Sequence, residues 1–172
     1  PLMVDLHDGF LLHMYWHFFC LYIIYRIIFI CSRGRGSFMQ KIKVAIVGFG
    51  NVGKEVMEAV LDSPDMEVAG IVEVPDRVCQ LQGKTQDYSV VSDILELGSV
   101  DVAILAAGSR CVPQIAPYYL EKGINTVDAF DIHGDSIIKL KKELTSIAKA
   151  RDAVAIISAG WDPGTNSVTR TI

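Results

Sequence analysis

The sequence predicts an α/β domain built on a doubly wound parallel sheet. Two observations carry the prediction. From Lys41 onward, short apolar runs alternate with stretches of helical periodicity, the pattern of strands joined by crossover helices. The first strand–helix junction also carries Gly48, Gly50 and Gly53 in the G-x-G-x-x-G spacing, the context in which that motif has structural meaning.

The elements follow in order. KVAIVG (43–48) predicts a buried strand, and NVGKEVMEAVLDS (51–63) a helix with Val52, Val56, Ala59 and Val60 on one face. EVAGIV (67–72) predicts a second strand and YSVV (88–91) a short third one. SDILELG (92–98) reads as a short helix capped by Ser92 and stopped by Gly98. VDVAILAA (100–107) is the fourth strand, apolar enough for the centre of a parallel sheet. A helix from Pro113 to Lys122 has proline in its first turn and Gly123 at its end. NTVDAF (125–130) is the fifth strand. SIIKLKKELTSIAKA (136–150) places Ile137, Leu140, Leu144 and Ile147 on one helical face. AVAII (153–157) is the sixth strand, and SAGWDPGTN (158–166) is a turn-rich loop leaving it. That loop displays Trp161 and Asp162 on the approach to Pro163–Gly164.

Composition bounds the function. A chain of 172 residues holds one domain with a sizeable core. A net charge of −4 gives no footprint for nucleic acid. The four cysteines, Cys20, Cys31, Cys79 and Cys111, match no zinc or redox spacing. They are expected to be reduced structural thiols, with no metal, in a cytoplasmic protein.

The first residues differ in character. GFLLHMYWHFFCLYIIYRIIFIC (9–31) is apolar over the length of a bilayer span, yet holds His13, His17 and Arg26. No small-residue cleavage site follows it. The chain begins with Pro1, and Met39 opens the clean pattern MQKIKVAIVGFG. RGRGSF just before it could be encoded by a purine-rich run of the kind that precedes a bacterial start codon. The expectation is that 1–38 is translated upstream sequence and that 39–172 is the domain. The alternatives are a membrane anchor, which Arg33 and Arg35 would orient with the domain inside, and a soluble helix.

The glycine motif points to a dinucleotide. Gly48 permits the tight turn, Gly50 lets the backbone approach a pyrophosphate, and Gly53 lets the helix close on the strand. The helix N-terminus then offers N–H groups to the phosphates. Glu73 ends the second strand, where an acid accepts hydrogen bonds from the adenosine ribose. It would repel the 2′-phosphate of NADP. Arg77 nearby compensates if the intervening loop folds back. NAD is favoured on this ground and NADP stays open.

Three stretches, KVAIVGFGNVGKEVMEAVLDSPDMEVAGIV, NTVDAFDIHGD and SAGWDPGTNSVTR, together resemble the meso-diaminopimelate dehydrogenase family, from Met39 to the end. The resemblance implies a Rossmann-type domain. It implies NADP- or NAD-dependent reversible oxidative deamination of the D-centre of meso-2,6-diaminopimelate to L-2-amino-6-oxopimelate and ammonia. A place in lysine biosynthesis and a homodimeric full-length enzyme follow from it too. Carried over by motif, Gly48, Phe49, Gly50, Asn51, Val52 and Gly53 hold the pyrophosphate. Ala107, Gly108 and Ser109 line the nicotinamide side, with Ala129, Phe130, Gly160 and Pro163 nearby. Trp161 forms a wall beside the ring. Asp131 and Asp162 face the two ammonium groups of the substrate and are the candidate bases.

By the residues alone, Asp131 also suits a helix cap and Asp162 an Asx-turn ahead of Pro163. The sequence departs from the family in two ways. An Arg–Arg pair at the end of the second strand is replaced by Glu73–Val74. The sequence stops early in the helix after DPG, before the family's second, substrate-binding and dimerisation domain. Three readings follow: an amino-acid dehydrogenase of this or a related kind, inactive as this fragment; a nucleotide-binding module without chemistry; and a membrane-anchored nucleotide-binding protein.

Overall fold

The computed structural model describes residues 40–82, 85 and 87–170. The apolar stretch 9–31, Cys20, Cys31 and the proposed boundary at Met39 lie outside the described residues. Among the described residues no helix is long and apolar enough to cross a membrane.

The strands are β1 (Ile42–Val47), β2 (Met66–Val72), β3 (Val90–Val91), β4 (Val102–Leu105), β5 (Asn125–Asp128) and β6 (Ala155–Ile156). The helices are α1 (Asn51–Leu61), α2 (Pro75–Leu81), α3 (Val112–Glu121), α4 (Asp135–Arg151) and α5 (Thr165–Thr169), with a 3-10 turn at Ile94–Leu97. All six strands lie in one sheet in the order β3-β2-β1-β4-β5-β6, every pair parallel. This is the Rossmann order.

The chain leaves β1 in one direction through α1 to β2. It then returns to β4 on the other side of β1 and moves the opposite way. Right-handed crossovers in opposite directions place their helices on opposite faces. The residues show both faces. Ala45 and Val47 of β1 and Ala103 and Leu105 of β4 pack with Ala116 and Leu120 of α3 and Leu140 and Leu144 of α4. Val44 and Ile46, alternating with these along β1, belong to the face that carries Val56, Ala59 and Val60 of α1. Val47 pairs with Val72 and with Leu105, and Leu105 pairs with Asp128. The carboxyl ends of four strands therefore finish level, and the loops leaving them form one rim.

Several expectations are corrected. Val52 is 41% exposed, and Gly53 takes its place on the buried face of α1. The helix closes on the preceding loop at Gly53, which leaves Val52 on the rim. The cap of Ile94–Leu97 is Asp93, not Ser92. Its carboxylate accepts the Leu95 N–H at 3.0 Å, and Glu96 completes a capping box. Ser92 instead donates to Glu96 Oε1 at 3.4 Å. Helix α2 was not expected, because it buries none of its residues and so has no apolar period to read. Only Pro75 at its start and Asp76 in its first turn mark it. β4, β5 and β6 end at Leu105, Asp128 and Ile156, before their apolar runs do, since a parallel ladder extends only as far as its neighbours. Cys79 and Cys111 are free but exposed, so they are surface thiols rather than core ones.

Candidate dinucleotide site

β1 and β4 lie side by side although the chain continues from them in opposite directions. In sheets wound this way the ligand crevice lies above such carboxyl ends, at the topological switch point. Gly48 follows β1 with φ +92°. A Cβ on Gly48 would stand 3.0 Å from the Ala107 nitrogen and 3.1 Å from the Ala106 carbonyl carbon. The glycine loop and the loop after β4 thus touch through backbone alone, and only a residue without a side chain permits it. A Cβ on Gly53 would land on the Gly48 carbonyl oxygen, so α1 starts in direct contact with the loop.

Gly50 differs from these two. A Cβ there would meet nothing within 4 Å. Gly50 is the N-cap of α1, which has no side-chain cap and no acidic residue in its first turn. The backbone N–H groups at the start of α1 therefore have no acceptor from a cap side chain and no acid of the helix's own first turn beside them. That arrangement, with open space over Gly50, fits a pyrophosphate. Asn51 and Val52 lie exposed on the same turn. The Phe49 ring is buried instead.

Glu73 ends β2 buried at 9% exposure. Its Oε1 accepts the Phe49 N–H at 2.6 Å and pairs with Arg77 at 3.1 Å, while Oε2 accepts the Val74 N–H at 3.2 Å. The carboxylate is thus turned onto the glycine loop. Arg77 stands in the first turn of α2 and also donates to the Phe49 carbonyl at 3.3 Å.

On the other side of the crevice, Ala107 and Ser109 are half-buried and Gly108 is exposed. Ser109 Oγ accepts the Asp131 N–H at 3.3 Å, which joins the loop after β4 to the loop after β5. Ala129 is exposed, whereas the Phe130 ring is 1% exposed and belongs to the core. Only the backbone of Phe130 can face the crevice. Asp131 is exposed and does not cap α4, whose N-cap is Gly134.

The loop after β6 is closed on itself. Gly160 and Gly164 form a parallel bridge, and a Cβ on Gly164 would fall on the Gly160 carbonyl oxygen. The Asp162–Pro163 peptide is cis, and Pro163 is half-buried. Trp161 is 50% exposed. The Asp162 carboxylate accepts from Asn166 Nδ2 at 3.1 Å and pairs with Arg170 at 3.1 Å.

Sequence reasoning missed Asp128. It is 2% exposed at the end of β5, and its Oδ1 accepts the N–H of Phe130 at 2.9 Å and of Ser158 at 3.4 Å. Its own carbonyl accepts the Ala159 N–H at 2.7 Å. Burial pushes the carboxyl above the usual carboxylate range, against the lowering effect of those two N–H donors. The available signal was an acid within the otherwise apolar run VDAF. Among the described residues no group of His, Cys, Asp and Glu is placed to hold a metal ion.

The family model described as the semialdehyde dehydrogenase NAD-binding domain matches residues 43–132. A meso-diaminopimelate D-dehydrogenase of Bacteroides fragilis is 49% identical over 137 residues, 78% of this chain and 44% of that protein. Among solved structures, the Corynebacterium glutamicum DAP dehydrogenase in complex with DAP matches with a TM-score of 0.62 and 32% identity, over 76% of this chain and 40% of that one. An engineered D-amino acid dehydrogenase bound to NADP+ matches with a TM-score of 0.61 and 31% identity, over 77% of this chain and 40% of that one. The chain spans less than half the length of these relatives. By its sheet order, its glycine loop and these matches, the chain belongs to the semialdehyde dehydrogenase NAD-binding domain family, in a form similar to the N-terminal part of meso-diaminopimelate dehydrogenases.

Proposed function

We propose that this domain binds NADP or NAD across the switch point, as the dinucleotide-binding part of a meso-diaminopimelate dehydrogenase. The observation that carries the reading is the crevice wall, where Gly48 meets Ala107 backbone to backbone beside the uncapped start of α1. In this reading the domain is 39–172 and the apolar residues 1–38 stand outside it. The longer enzyme is a cytoplasmic homodimer that deaminates the D-centre of meso-2,6-diaminopimelate.

Gly50 and the first turn of α1 take the pyrophosphate. Ala107, Gly108 and Ser109 border the nicotinamide side, with Ala129, Gly160 and the exposed ring of Trp161 across from them. The nicotinamide, when bound, accepts a hydride from the substrate α-carbon. The chain's own task is to orient the amine and take its proton. Asp131 and Asp162 supply anions on neighbouring loops of the rim, and a doubly ammonium substrate needs such partners. Asp131 is the more accessible base, because Asp162 holds Arg170.

The test is Gly50→Asp. Aspartate is a good N-cap and meets open space at this position, so the fold is kept while an anion replaces the phosphate place. Calorimetric titration should show NADH and NADPH affinity reduced about a hundredfold or more. Unchanged affinity would remove the pyrophosphate from this turn. A chain starting at Met39 should bind as tightly as the whole one.

A further inference from the structure

In this fold the adenosine ribose sits at the end of β2, where this chain carries Glu73. A carboxylate alone there selects against a 2′-phosphate. Here it is not alone. The Glu73 side chain is 6% exposed and its charge is matched by Arg77 at 3.1 Å, whose own side chain is 45% exposed. Solvent at the ribose end therefore meets the cation rather than the anion. The guanidinium is fixed by two contacts, to Glu73 and to the Phe49 carbonyl, and a guanidinium has five N–H donors in a rigid fork. Donors remain for a ligand, and a fork held in place loses little freedom on binding a phosphate.

We propose that Arg77 is a ligand of the adenosine 2′-phosphate, so that this domain takes NADP as well as NAD although an acid ends its second strand. The inference rests on the dinucleotide reading of the site. It assigns the 2′ position to a residue on α2 rather than to the strand end.

The experiment is calorimetric titration of the chain with NAD+ and with NADP+, for the wild type, Arg77→Met and Arg77→Lys, with circular dichroism as the check on folding. The wild type should bind the two dinucleotides within about tenfold of each other. Arg77→Met should weaken NADP+ about tenfold or more and change NAD+ less than about threefold. Arg77→Lys, which keeps the charge and loses the fork, should fall between. Equal weakening of both dinucleotides in Arg77→Met would make Arg77 a mere prop for Glu73 and overturn the proposal. An unchanged NADP+ affinity would overturn it too, as would an Arg77→Lys that unfolds or loses both ligands alike. If the wild type bound NAD+ but not NADP+, this inference alone would fail. If it bound neither, the dinucleotide reading would fall first.

Discussion

The hydroxyl of Ser158 donates to the carbonyl oxygen of Phe130 at 2.8 Å. Ser158 leaves β6 with φ +59°, and Phe130 leaves β5. The bond therefore ties together the two loops that carry Asp131 and Asp162. Asp128 repeats the tie from below, through the Ser158 N–H and the Ala159 N–H. The seam thus joins the two loops where each leaves its strand.

Ser158→Ala removes the side-chain half of the seam. Chemical denaturation should show a loss of about 1 kcal/mol, the net worth of one such hydrogen bond. No loss would mean that water replaces the hydroxyl without cost.

Asp128→Asn tests the buried acid. The folded carboxyl is held above its ordinary value of 3.8 by burial, so the folded state keeps its proton at a pH where the unfolded chain has lost it. More protons bound in the folded state make this group's contribution to stability fall as pH rises, from 3.8 up through the folded value, and level off above it. Asparagine has no such slope. The stability of Asp128→Asn relative to wild type, from denaturation at a series of pH values, should therefore rise across that window. A flat difference would place the folded value at the ordinary one.

Two glycines of the same motif should separate fold from ligand. Gly53→Ala drives a methyl into the Gly48 carbonyl and should cost about 1–3 kcal/mol of stability, as overpacking does. Gly50→Ala meets open space. It should cost about 1 kcal/mol or less while weakening dinucleotide binding about tenfold. Equal effects at both positions would mean that the crevice over Gly50 is not where the ligand lies.

The candidate bases can be compared in a chimera joining residues 39–172 to the remaining part of the Bacteroides fragilis relative. Asp131→Asn should lower kcat/KM about a hundredfold, roughly 3 kcal/mol of transition-state stabilisation, with cofactor affinity unchanged. Asp162→Asn should also lower it and should loosen the loop, because Arg170 loses its partner. Full activity in Asp131→Asn would leave Asp162, or water, as the base.

The sequence by itself determined the sheet and its winding. The alternation of apolar runs with 3.6-residue periods is imposed by burial and needs no knowledge of neighbours, so six strands and three of the helices were legible. The glycine motif was legible for the same reason: only residues lacking a side chain survive where backbone meets backbone, at Gly48 and Gly53. Tertiary structure decided what depends on partners distant in sequence. Glu73 is turned inward because the Phe49 N–H, 24 residues away, needs an acceptor. Arg77 is fixed by a helix that buries nothing and so leaves no period to read. Asp128 reads locally as one more strand residue. It becomes a joint between loops only when β6 arrives beside β5 and brings the Ser158 N–H, 30 residues on, to its carboxylate.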